Sequence, residues 1–165
     1  LNRISSLFRR RGFNIESITV GHSELPDYSR MNIVIDGTTT SVEQVRKQLA
    51  KVIDVVKVSD ITSDNTVSRE LALLKVNASP AHRSEIIEVA QLFRASIVDV
   101  SAETLTIAIT GEEDKVDVLI NLLRGFGIRE ISRTGLIAMM RGEPGPLPVI
   151  GRPAGKKPNN KPATV

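Results

Sequence analysis

The chain contains no cysteine and no tryptophan, and aromatics make up only 3% of its 165 residues. Without cysteine there are no disulfides, no thiolate nucleophiles and no thiolate metal sites. With so few aromatics, the core has to be built from Ile, Val and Leu, which points to sheets covered by helices. No apolar run approaches the ~20 residues of a membrane span, and no segment reads as a signal peptide. A cytoplasmic protein with no membrane partner is therefore expected. Catalytic signatures are also missing. There is no phosphate-binding glycine loop, zinc-protease helix or serine elbow. The two histidines, His22 and His82, read as solvent-facing structural residues. The carboxylates of GEEDKVD, residues 111–117, read as the acidic start of a helix, not as a metal cluster.

What is present is ordinary for a globular protein: 41% apolar and 25% charged residues. The net charge of +3 is concentrated at the C-terminus, where Arg141, Arg152, Lys156, Lys157 and Lys161 face only Glu143. The remaining body is almost neutral, which argues against a nucleic-acid-binding domain. Residues 141–165, rich in Pro, Gly, Asn and Lys, read as a flexible basic tail. The first residue is Leu1, inside an apparent helix, so the natural protein is expected to begin earlier.

Hydrophobic periodicity organises the body. Ile4, Leu7 and Phe8 share a helical face that Gly12 ends. Residues 13–21 read as a strand. Met31, Ile33 and Ile35 mark a second strand, across the loop HSELPDYS that contains His22. Val42, Val45, Leu49 and Val52 mark a helix, and residues 54–62 a further strand. The second half repeats the order: a strand at 71–78, a helix from Ser79 or Pro80, strands at 97–101 and 105–109, a helix through Val116, Leu119 and Leu123, and a strand at 128–138. Gly37 and Gly111 are followed by apolar residues at the same offsets of five, eight and twelve. Leu7-Phe8-Arg9 and Leu92-Phe93-Arg94 each read as the end of the first helix of a half. Two copies of one architecture follow. The complete copy is βαββαβ, the ferredoxin-like motif, and the class is α+β. The first copy lacks its opening strand. Expected boundaries are 1–63 and 68–140, followed by the tail.

Several strands look apolar on both faces: Phe13 and Ile15 against Ile18 and Val20, and Leu71 and Leu73 against Leu74 and Val76. Such strands require a second covering layer, so a homodimer or higher oligomer is expected. RNA binding is the alternative that shares this topology. It stacks bases on aromatics of the central strands, and residues 29–36 and 104–110 contain none. Arg9, Arg10 and Arg11 then read as a solvated helix end complementing the dipole.

Asn14 stands out in RRRGFNIES. Its amide offers donors and an acceptor, which suits a zwitterionic amino acid; it also fits a simple turn residue beside Gly12. A resemblance bears on the choice. The stretch from Leu1 through RRRGFNIESITVG, then SRMNIVID-Gly37, VEQVRKQLAKVIDVVKV at 42–58, RELALLKV at 69–76 and SRTGLIAMMRG at 132–142 resemble the small regulatory subunits of acetolactate synthase (acetohydroxyacid synthase). That resemblance implies an N-terminal ACT domain, here without its first strand, and a C-terminal ferredoxin-like domain. It implies no catalysis by this chain. The implied role is to activate a large catalytic subunit and confer feedback inhibition by valine or another branched-chain amino acid. It implies no cofactor on this chain, with thiamine diphosphate, magnesium and FAD on the large subunit. It places the effector between two ACT domains, with Asn14 and Ile15 on one side and Leu1 at the end of the loop forming the other. Localisation would be cytoplasmic, or plastid in a plant. A free-standing ACT module sensing an amino acid for another enzyme or a transcriptional system is the alternative.

Overall fold

The computed structural model describes residues 2–38 and 40–142. The expected tail therefore lies almost wholly outside the described residues, as does Leu1. The described elements run α1 (Asn2–Arg11), β1 (Ile15–His22), β2 (Ser29–Ile35), α2 (Val42–Leu49), β3 (Thr66–Asn77), α3 (Arg83–Leu92), β4 (Ser96–Val100), β5 (Thr104–Gly111), α4 (Glu113–Leu123), β6 (Ile128–Arg133) and β7 (Ile137–Met140). His22 closes β1, opposite Ser29, and does not lie in a loop.

The second half is a complete βαββαβ unit. Its antiparallel sheet has the order β4-β5-β3-β6, with β7 also pairing β3. Alternation along β3 turns Ala72, Leu74 and Val76 inward, and along β5 it does the same for Leu105, Ile107 and Ile109. These rows meet Ile86 and Ala90 of α3 and Val116, Leu119 and Leu123 of α4 in one cluster of fully or almost fully buried side chains. Leu71 and Leu73 face the other way and remain 40% exposed. The expected strand at 128–138 divides in two. Its pairing with β3 is interrupted at 134–136, where Gly135 adopts φ +83°. α3 begins at Arg83 rather than at Ser79 or Pro80, because residues 79–82 form a turn in which Ser79 O accepts from His82 and Arg83 N–H.

The first half is smaller. β1 and β2 form a two-stranded antiparallel sheet, and Leu7, Phe8, Val45 and Leu49 are the buried core beneath it. Two expectations fail here for physical reasons. Residues 54–62 form no strand. In the second half, the equivalent last strand is β6, which takes its hydrogen bonds from β3, the opening strand. The first half has no described counterpart of β3, so 54–62 has no ladder to join. Nor is β1 apolar on two faces. Its register with β2 shifts between Ile15 and Ser17. That bulge, at Glu16, brings Ile15 and Ile18 into the same core and leaves Ser17 and Thr19 on the other side.

The two halves end their first helices alike, but not where the paired Leu-Phe-Arg triplets suggested. After α1, Phe13 N–H bonds to Phe8 O and Gly12 N–H to Arg9 O, with Gly12 at φ +64°. After α3, Ala95 N–H bonds to Ala90 O and Arg94 N–H to Gln91 O, with Arg94 at φ +53°. Both are Schellman motifs, so Gly12 corresponds to Arg94 and the triplets are three residues out of structural register. Arg94 is the one non-glycine among the described residues with a positive φ. A left-handed residue with a Cβ costs about 1–2 kcal/mol, partly offset by the ~0.5–1 kcal/mol of chain entropy that a glycine loses. Arg94→Gly is therefore expected to stabilise the protein by about 0.5–1 kcal/mol, raising the melting temperature by roughly 1–4 °C. An unchanged or lower melting temperature in calorimetry would count against this balance.

Candidate functional site

The chain around Asn14 is held by the cap that ends α1. Phe8 and Phe13, the residues joined by the outer cap bond, also pack edge to face with ring centroids 6.2 Å apart. This contact accompanies Schellman caps and turns the chain sharply into β1. Asn14 emerges at that corner, exposed to solvent.

Three interactions tie Asn14 to the segment between β2 and α2. Its N–H donates to Thr40 Oγ1 at 3.3 Å. Its carbonyl accepts Asp36 N–H at 3.3 Å. Its side-chain Nδ2 donates to Asp36 Oδ2 at 3.5 Å, the outer limit of a hydrogen bond. Asp36 is itself organised: Oδ1 accepts Thr38 N–H at 2.9 Å and Thr38 Oγ1–H at 2.6 Å. The Asp36 carbonyl accepts Thr40 N–H at 3.0 Å, and Thr40 is buried. This is an Asx-type turn. The Asn14 Oδ1 accepts nothing from the described residues. Asn14 therefore presents an acceptor, a partly used donor and a neighbouring carboxylate to solvent. That combination favours an ammonium group.

Ile15 follows in the chain but points elsewhere. Its side chain is half-buried against the core of Leu7, Phe8, Val45 and Leu49. The structure thus brings Asn14 to Asp36, Thr38 and Thr40, and turns Ile15 inward. The third expected residue, Leu1, lies outside the described residues. Asp36 and its threonines were not anticipated as site residues, although Asp-Gly followed by threonines after a strand is a turn signal. An open groove of about 830 Å³ runs between α1 and the following 51–53 segment, lined by Arg3, Ser6, Arg10, Lys51 and Ile53 among others. Neither Asn14 nor Ile15 lines it.

Surrounding charges are mostly surface pairs. In α2, hydrogen bonding to Arg46, then to Lys47, holds the exposed Glu43 carboxyl down to about 2. His82 is exposed and stands 3.6 Å from Glu85. Glu113 and Asp114 occupy the first turn of α4, as read from GEEDKVD, while Glu112 pairs with Arg69 at 3.1 Å and makes no side-chain cap. Among the described residues no group of three or more His, Asp or Glu side chains could hold a metal ion, and no helix is long and apolar enough to cross a membrane.

One buried charge was missed in the sequence. Glu70 sits in the inward row of β3 with its side chain only 3% exposed. Arg133 of β6 donates to it through Nε at 3.1 Å and through Nη2. Arg133 Nη1 also donates to Asp117 of α4 at 2.7 Å. These carboxylates, Glu70 foremost, raise the Arg133 pKa above its ordinary value. The pair joins two strands and a helix of the second half.

Comparison with known proteins gives a uniform result. A family model described as the small subunit of acetolactate synthase matches residues 69–142, and one described as the AHAS small subunit-like ACT domain matches residues 1–57. A protein of Archaeoglobus fulgidus named probable acetolactate synthase small subunit is 55% identical over 142 residues, covering 86% of this chain and 89% of its own. The acetolactate synthase small subunit of Bacillus subtilis is 51% identical over 144 residues, covering 86% and 83% respectively. The crystal structure of an acetolactate synthase small subunit from Thermotoga maritima superposes with a TM-score of 0.77 at 45% identity, covering 86% of this chain and 89% of that one.

Proposed function

The chain belongs to the acetolactate synthase small-subunit family, and from that premise we propose that it activates a large catalytic subunit and makes it sensitive to valine or a related branched-chain amino acid. Catalysis, with thiamine diphosphate, magnesium and FAD, belongs to the large subunit, and the complex works in the cytoplasm, or in a plastid if the source is a plant. Residues 1–63 form the sensing domain and 68–140 the domain that contacts the large subunit or assembles the oligomer.

The observation that carries the reading is the exposed Asn14 amide beside the Asp36 carboxylate. The ligand ammonium binds Asn14 Oδ1 and lies next to Asp36. The donors for the ligand carboxylate come from the loop that ends near Leu1, on a partner copy. Ile15 contributes its backbone and only the edge of its side chain, since the rest packs inward. A homodimer completes the site, in keeping with a single chain that leaves Asn14 open to solvent.

The test is reconstitution of the full-length chain with a large catalytic subunit. Acetolactate formation is expected to rise on adding the small subunit, and valine is expected to reverse that rise. Activation without any response to valine, leucine or isoleucine would refute the effector half. No activation would refute the partnership.

A further inference from the structure

We infer that the seat of β1 on the Thr134–Gly135 turn is the joint through which occupancy of the Asn14 site reaches the C-terminal domain; this rests on the regulatory reading above. Asn14 lies just before β1, and Ser17 and Thr19 lie on the side of β1 away from its core. The span from Asn14 to Thr19 is about 17 Å at ~3.3 Å per residue. Midway along, β1 meets the second half directly. A Cβ built on Gly135 would stand 2.9 Å from Ser17 Cβ and 3.1 Å from Thr19 Oγ1. The backbone of the turn therefore lies against these two side chains, and only glycine fits. Thr19 Oγ1–H donates to Thr134 O at 3.1 Å. Asn32, opposite Thr19 in the β1–β2 ladder, accepts Ala138 N–H on its Oδ1 at 3.3 Å. Both strands of the small sheet thus bond to the same stretch of the second half.

That stretch is firmly anchored on its own side. Thr134 N–H bonds to Leu71 O at 3.0 Å, and Leu71 N–H bonds back to Thr134 Oγ1 at 3.1 Å. Arg133, one residue earlier, is fixed by Glu70 and Asp117. A turn held this way does not yield locally. When ligand binding shifts the start of β1, either the second half moves with it or the contact breaks. Packed rigid elements transmit coupling by this kind of choice.

Linkage supplies the test. If valine and the large subunit are coupled through this joint, valine affinity differs between the free small subunit and the complex, typically by about 5- to 150-fold, and the factor is reciprocal. Calorimetric titration of valine into full-length subunit, alone and with large subunit, gives that factor. Gly135→Ala and Thr19→Val are expected to keep valine affinity of the free subunit within about threefold while the factor falls toward one. Thr19→Ser, which keeps the hydroxyl, is expected to restore it. Thr19→Val exchanges only a hydroxyl for a methyl of similar size, so it decides the matter should Gly135→Ala fail to fold. An undiminished factor in Thr19→Val overturns the joint. A wild-type subunit that binds no valine overturns the effector reading, and the joint with it.

Discussion

Asn14→Ala, in the full-length subunit, is expected to activate the large subunit as well as wild type while its valine response shifts to concentrations about 10- to 150-fold higher. Truncation removes the amide oxygen proposed for the ligand ammonium. A hydrogen bond to a charged partner contributes about 1.5–3 kcal/mol, which corresponds to that range. Folding is not at risk, because the side chain is exposed and its one described bond, to Asp36, is at the 3.5 Å limit. The backbone bonds that fix the corner, to Thr40 and Asp36, survive the change. Valine titration of acetolactate formation reads both quantities. A wild-type midpoint in the variant would place the effector elsewhere. Lost activation would show that Asn14 serves the large-subunit interface instead.

Arg133→Met is expected to cost stability by about 3 kcal/mol. Removing one member of a buried ion pair leaves an uncompensated charge, at a typical cost of about 3–5 kcal/mol. Glu70, with its side chain 3% exposed, would be that charge. The lower end applies because Arg133 keeps 31% of its side chain in water. Pairing the change with Glu70→Leu is expected to recover most of the loss, since an apolar replacement of both partners is often near neutral. Urea denaturation of the single and double variants separates the terms. A single-variant loss below about 1 kcal/mol would mean that Glu70 finds water once unpaired.

Legibility followed the range of the signal. Leu105, Ile107 and Ile109 announce β5 by alternation, and Val116, Leu119 and Leu123 announce α4 by helical spacing; both sets are buried as read. The repeat was readable because the same offsets recur after Gly37 and Gly111. Features that depend on a partner strand were not. A bulge at Glu16 exists only relative to β2, so Ile15 and Ile18, three apart, looked as though they faced opposite ways. Residues 54–62 have strand composition but no neighbouring strand to bond among the described residues. Glu70 and Arg133 are separated by 63 residues, with nothing local to link them. At the site, Asn14 was visible as an amide in an unusual place. Its companion Asp36 looked like the last polar position of the second strand, and its role depends on where the Schellman cap delivers the chain. Gly135 was visible as a glycine, but its reason lies in Ser17 and Thr19, more than a hundred positions away.

The two halves are unequal in their interiors. Among the described residues, thirteen buried side chains knit the second core and four the first. Opening free energies scale with such contacts, so the backbone amides of the first half of this chain are expected to exchange faster than those of the second. A ligand bound at Asn14, as proposed, would then still a fluctuating element as well as displace it. The entropy surrendered once, by the first ligand, is not surrendered again by whatever binds next.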